Sequence, residues 1–174
     1  MPNWRKGIDY KETVSARKEY GGGVLLELSH EIDLALWIFG DLKLHSSFIN
    51  NSKIFEIDVE DQAYLLGTTN DGINVSLRLN FCSNIERRNV LVRGTNGEII
   101  CDIKNGFLYY NLSNGEEKKI KKLNSKDIIF KSQLEVFFNK KENLFNDFCD
   151  LKDGLAVLKI IEESLIINKN HSKS

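Results

Sequence analysis

The sequence predicts an α+β fold, in which an open antiparallel or mixed sheet has helices packed on one face. Three observations carry this. A glycine triplet at 21–23 opens an apolar segment of helical length. A run of alternating segments separated by short turns follows it. Two segments with apolar residues at helical spacing close the chain. Elements segregated in this way belong to the α+β class.

Residues 1–20 read as an irregular, polar lead-in. The glycines at 21–23 permit a tight turn or a close backbone approach. One helix of about 16 residues is expected from there to Phe39, with Gly40 as its stop. The middle of the chain reads as strands. Residues 42–49 and 62–69 come first, then the turn Asn70-Asp71-Gly72. In 73–81, Ile73, Val75, Leu77, Leu79 and Phe81 alternate with polar residues, which marks a half-buried strand. Hairpins are expected over 88–103, about Asn96-Gly97, and over 106–123, about Ser113-Asn114-Gly115. The end is helical. Residues 126–140 carry Ile129, Phe130, Leu134, Phe137 and Phe138, and 143–150 is a short apolar segment. Residues 151–168 form an amphipathic helix with Leu155, Leu158, Ile161, Leu165 and Ile166 as its buried face. The organisation is therefore a lead-in over 1–20, a single domain over 21–170 and a frayed tail over 171–174.

Composition narrows the functions. A length of 174 residues suits one domain with a real core. Lysine plus arginine number 24 against 25 acidic residues, so neither nucleic acid nor an anionic membrane is expected as a partner. Cys82, Cys101 and Cys149 are odd in number and widely spaced, and read as buried free thiols of a cytoplasmic protein. Residues 1–20 are too polar for a secretory leader. The 24–39 segment is too short and too interrupted to span a bilayer. No His/Cys ligand spacing, P-loop or GxGxxG appears.

Chemistry is expected on the 24–39 helix. At 100° per residue, Glu27, His30 and Glu31 share a face, and Asp33 lies 60° from His30. Ionisable groups on an otherwise apolar helix are costly unless paired or solvated by a cleft.

Gly21-Gly22-Gly23, His30-x-x-Asp33 and Trp37-x-x-Gly40 together resemble the C-terminal domain of the glucose–fructose oxidoreductase/inositol dehydrogenase (Gfo/Idh/MocA) family. GTNGEI at 94–99, DGLAVLKIIEES at 153–164, and Asn3-Trp4-Arg5 with Asp9-Tyr10 support the resemblance. It implies a glyceraldehyde-3-phosphate-dehydrogenase-like C-terminal domain that supplies the substrate wall and the dimer interface. NAD or NADP would be held mainly by a Rossmann domain, in cis or in trans, which also donates a lysine. The implied activity is oxidation of a CH–OH group on a sugar, nucleotide-sugar or cyclitol derivative, with this chain inactive alone.

The family's helix often carries an aspartate four residues before the histidine. Here that position is Leu26, and the carboxylate is Glu27, three before. A spacing of three still shares a helix face. Glu27 is thus the expected orienter of His30, and His30 the expected base for the substrate hydroxyl. Trp4, Arg5, Tyr10, Arg17 and Asp33 are the substrate-side candidates, with the arginines suited to a carboxylate or phosphate. Each has a structural alternative: His30 bonded to a backbone carbonyl or to Glu27, Asp33 paired with a lead-in arginine, and Glu31 solvated. A different class of function also remains, a non-enzymatic homo-oligomerising or sugar-binding module using the exposed sheet face.

Overall fold

The computed structural model describes residues 7–121, 126–139 and 149–171. The chain divides into two compact units, residues 1–83 with 149–174, and residues 84–148. Trp4 and Arg5, most of the 143–150 segment and residues 172–174 of the expected tail lie outside the described residues.

In the first unit the lead-in is more regular than its composition foretells. It forms three 3-10 turns, Tyr10–Glu12, Val14–Ala16 and Lys18–Tyr20. The Asp9 carboxylate accepts from the Lys11 N–H and caps the first. Ser15 and Ala16 are buried. The glycine triplet receives this segment: Gly22 N–H donates to Arg17 O (2.9 Å) and Gly23 N–H to Ser15 O (3.1 Å). A Cβ at Gly22 would stand 2.8 Å from Arg17 O, so only glycine fits.

The expected single helix is two, α1 Val24–Glu27 and α2 Ser29–Phe39. Leu28, at φ −104° and ψ 23°, leaves helical geometry, and Glu31 N–H bonds back only three residues to Leu28 O (3.0 Å). Ser29, a weak interior helix former, sits at the restart. Gly40 ends α2 at φ 80°, as expected.

Three antiparallel strands follow, β1 Leu42–Asn50, β2 Gln62–Thr69 and β3 Asn74–Asn80, in the order β1-β2-β3. A register shift between Leu44 and Ser46 turns both Leu44 and Ser47 to the core. Val75, Leu79 and Phe81 are buried as the alternation requires, while Ile73 is exposed. The final helix, designated α4 (Leu151–His171), packs on β1. Its N-terminus is capped by the Asp150 carboxylate, which accepts from Lys152 N (2.7 Å) and Asp153 N (3.0 Å). The core joins Val24, Leu25, Ile32, Leu65, Phe81 and Ile160.

The buried face of α4 is rotated from the one expected. Val157, Ile160, Ile161 and Ser164 are buried, whereas Leu155, Leu158, Leu165 and Ile166 are exposed. Asn168 sets the rotation. Its side chain accepts from Ile49 N (2.8 Å) and donates to Ile49 O (3.3 Å), mimicking a strand partner for β1. Ser164 is buried on this face, its hydroxyl donating to Ile161 O (2.7 Å).

The second unit holds a four-stranded antiparallel meander, β4 Asn89–Gly94, β5 Gly97–Asp102, β6 Phe107–Leu112 and β7 Glu117–Lys121. It also holds α3, Lys126–Asn139. Register places Val90, Cys101, Leu108 and Ile120 in one row, and Val92, Ile99 and Tyr110 in the next row of the same face. Among the described residues of this unit none is fully buried. Phe130, Leu134, Phe137 and Phe138 of α3 are exposed.

Candidate functional site

His30 opens α2 with its side chain 51% exposed, and its Nε2 lies 3.2 Å from Glu31 Oε1. Glu31 is the more buried of the two, at 20%. Glu27, at the end of α1, makes no hydrogen bond or ion pair with His30 among the described residues. The break at Leu28 explains this, because the regular 100° step that places 27 beside 30 does not run through it. The carboxylate that stands beside His30 is that of the next residue, Glu31.

Among the described residues Asp33 meets no lead-in arginine. Its Oδ1 faces the Cys149 Sγ at 3.8 Å. Desolvation raises the Cys149 pKa, and the Asp33 and Asp153 carboxylates push it the same way, so this thiol stays protonated near neutral pH. Cys149 is exposed, and Cys82 and Cys101 are half-buried rather than buried.

Tyr10 meets the loop 51–61, while Arg17 bonds within the lead-in. The Tyr10 ring packs edge-on against Phe55 at 5.6 Å. Arg17 Nε donates to Lys11 O (3.2 Å), and its Nη1 lies 3.4 Å from Glu19 Oε1. The loop is organised from within. Asn51 Nδ2 donates to Ile57 O (2.9 Å) and Val59 O (2.7 Å). Asp61, wholly buried, accepts from the Ser52 N–H (2.9 Å) and the Ser52 hydroxyl.

Glu60 was also missed. Its carboxylate accepts from Leu25 N (3.3 Å) and its backbone O from Val24 N (3.1 Å), so it occupies the start of α1. Burial is the main cause of its raised pKa, the Leu25 N–H opposing it. A Cβ on Gly23, which holds φ 118°, would stand 2.6 Å from the Glu60 carboxyl carbon. The one signal in sequence was the acidic pair Glu60-Asp61 directly before an apolar strand.

These residues do not fit a dinucleotide. The glycine triplet follows 3-10 turns rather than a strand, and a carboxylate fills the helix start where a pyrophosphate would need free N–H groups. No cluster of three His, Cys, Asp or Glu side chains suited to a metal occurs among the described residues. No helix among them is long and apolar enough to cross a membrane.

Helices on one face of an antiparallel sheet, with a histidine at the start of the helix after a glycine triplet, define a fold shared with solved oxidoreductases. The GFO/IDH/MocA C-terminal domain profile matches residues 2–100, and the chain belongs to that family. An oxidoreductase from Thermotoga maritima is 18% identical with a TM-score of 0.70, over 94% of this chain and 48% of that one. UDP-N-acetylglucosamine 3-dehydrogenase from Acidithiobacillus ferrooxidans is 18% identical with a TM-score of 0.65, over 83% of this chain and 46% of that one. Levoglucosan dehydrogenase, in complex with NADH and levoglucosan, is 15% identical with a TM-score of 0.56, over 63% of this chain and 34% of that one. The chain thus spans about half or less of these solved proteins. No curated protein matches it significantly.

Proposed function

We propose that the chain is the substrate wall and dimerisation part of an NAD(P)-dependent oxidoreductase acting on a CH–OH group of a sugar, nucleotide-sugar or cyclitol derivative. Residues 21–170 would work as one domain, with 1–20 as its lead-in and 171–174 as its tail. A Rossmann domain, in cis or in trans, holds the nicotinamide cofactor, which supplies the hydride chemistry when bound.

The observation that carries this reading is the half-exposed His30, paired with Glu31 on the helix behind the family's glycine triplet. His30 takes the hydroxyl proton of the bound substrate, and Glu31 orients the ring. Tyr10, Arg17 and Asp33 contact substrate. Glu27 remains a candidate orienter only if α1 and α2 straighten.

The test is reconstitution. The purified chain is assayed with NAD+ or NADP+ and a panel of nucleotide-sugars, alone and with a family Rossmann domain. Alone it shows no turnover. With the Rossmann domain it turns over, and His30→Ala lowers that rate about 10²- to 10⁴-fold. Turnover by the chain alone, or an unchanged rate in His30→Ala, overturns the assignment.

The exposed Phe48 and Leu66 on β1 and β2 favour a second reading, a homo-oligomerising or sugar-binding module without redox chemistry. There His30→Ala leaves oligomer mass and ligand affinity unchanged.

A further inference from the structure

A cavity of about 530 Å³ opens between the lead-in turns and the loop 51–61. It is a wide-mouthed hollow, open to solvent over much of its face. Its two walls are tied together at separate points. Lys11 Nζ pairs with Glu56, Lys18 N–H donates to Asp58 Oδ1 (2.8 Å), and Tyr10 packs on Phe55. The shape is therefore pre-built rather than dependent on a ligand.

Its charges are unevenly committed. Each lining carboxylate already has a donor: Glu56 from Lys11, Asp58 from Lys18 N–H, and Glu19 from Arg17. The Lys53 ammonium has no acceptor among the described residues. Arg17 uses Nε and Nη1 and stands over the Tyr20 ring (6.0 Å), with Nη2 making no hydrogen bond among them. Lys53 is held in a specific way. It is the single non-glycine residue with positive φ (63°) among the described residues, and its N–H donates to Asn51 Oδ1 (2.9 Å). A lysine kept in the left-handed region costs conformational energy, and such strain gathers at ligand sites. Ala16, Phe55 and Ile57 add an apolar lining.

We propose that this cavity is the subsite for the anionic group, a carboxylate or a phosphate, of a sugar-like ligand, with Lys53 as its counter-charge and Arg17 as second donor. It deepens, and rests on, the reading of this chain as a sugar-substrate wall. Arg17 was marked from sequence as suited to such a group; the partner cation and the loop that presents it emerge only from the fold.

The experiment titrates the isotope-labelled 174-residue chain with D-glucuronate, glucose 6-phosphate and glucose, following backbone amide resonances. One or both anions shift the amides of Arg17, Lys53 and Asp58, with affinity about tenfold above that of glucose. Which anion does so identifies carboxylate or phosphate. Lys53→Gly, which suits φ 63° and keeps the fold, weakens the anion about tenfold, and Lys53→Arg keeps it within about threefold. The subsite is overturned if glucose binds equally well, if the shifts fall elsewhere or are absent, or if Lys53→Gly binds as the native chain does. The reconstitution assay fails on its own terms, through absent turnover, so the two outcomes are separable.

Discussion

At the scale of single residues, the carboxylates do different work from what their spacing implied. Glu31 reads as a solvated side chain in sequence, yet it is the one at 3.2 Å from His30. Glu60, within a loop, holds the start of α1 and pays for it in desolvation. Its folded pKa lies above the ordinary 4.5. Where the unfolded chain has released this proton, the folded chain still keeps it, so the unfolded state binds fewer protons. Stability contributed by Glu60 is therefore fully present below about pH 4.5 and declines as pH rises through the folded value. Glu60→Gln preserves an acceptor for Leu25 N–H and does not titrate. Urea midpoints of the two proteins should be close near pH 4.5, with the variant gaining on the native chain by about pH 7. A gap that is constant with pH, or that reverses, would mean the carboxylate is not held against its charge.

At the scale of elements, glycine does what the sequence promised, and more sharply. Gly22 faces backbone atoms of the lead-in, Arg17 O and the Ser15 carbonyl carbon at 2.8 Å from a built Cβ, and neither is a side-chain end that can swing away. Gly22→Ala should cost about 1–3 kcal/mol by overpacking, read as a lowered denaturation midpoint with an unchanged m-value. An alanine that is neutral there would show the lead-in to be loosely docked. The strands were legible because alternation and the turns at 70–72, 96–97 and 113–115 are local signals, and β1 to β7 follow them within a residue or two. The single helix over 24–39 failed because a break at one residue leaves the apolar pattern intact. The face of α4 failed for a related reason. This helix has two apolar stripes, and the choice between them is made by Asn168 gripping Ile49, 119 residues away. The loop 51–61 was illegible because its order comes from Asn51, Ser52 and Asp61 side chains bonding locally, which has no periodicity to read.

At the scale of the whole molecule, the three-stranded sheet poses the remaining question of what covers its open face. Helices α1, α2 and α4 reach β1, β2 and β3 on the side that bears Leu44, Ala63, Leu65 and Leu79. On the other side Phe48, Tyr64 and Arg78 stand in one cross-strand row, and Ser46, Leu66 and Ser76 in the next. Phe48 is 56% and Leu66 49% exposed. The Phe48 and Tyr64 rings lie 6.1 Å apart, with the Arg78 guanidinium 5.4 Å from the Tyr64 ring. Ring, ring and cation in a row are self-complementary across a two-fold axis, the isologous arrangement most homodimers use. A second copy of the chain is therefore the expected cover. Light scattering should give a multiple of the 20.0 kDa protomer mass. Phe48→Glu combined with Leu66→Glu should return the mass to the protomer, because carboxylates from the two copies would meet across the axis. Both side chains are exposed in the protomer, so circular dichroism and the unfolding midpoint should change little. A double variant that keeps the native mass would place the interface on another face, and a native chain that stays monomeric at high concentration would remove it.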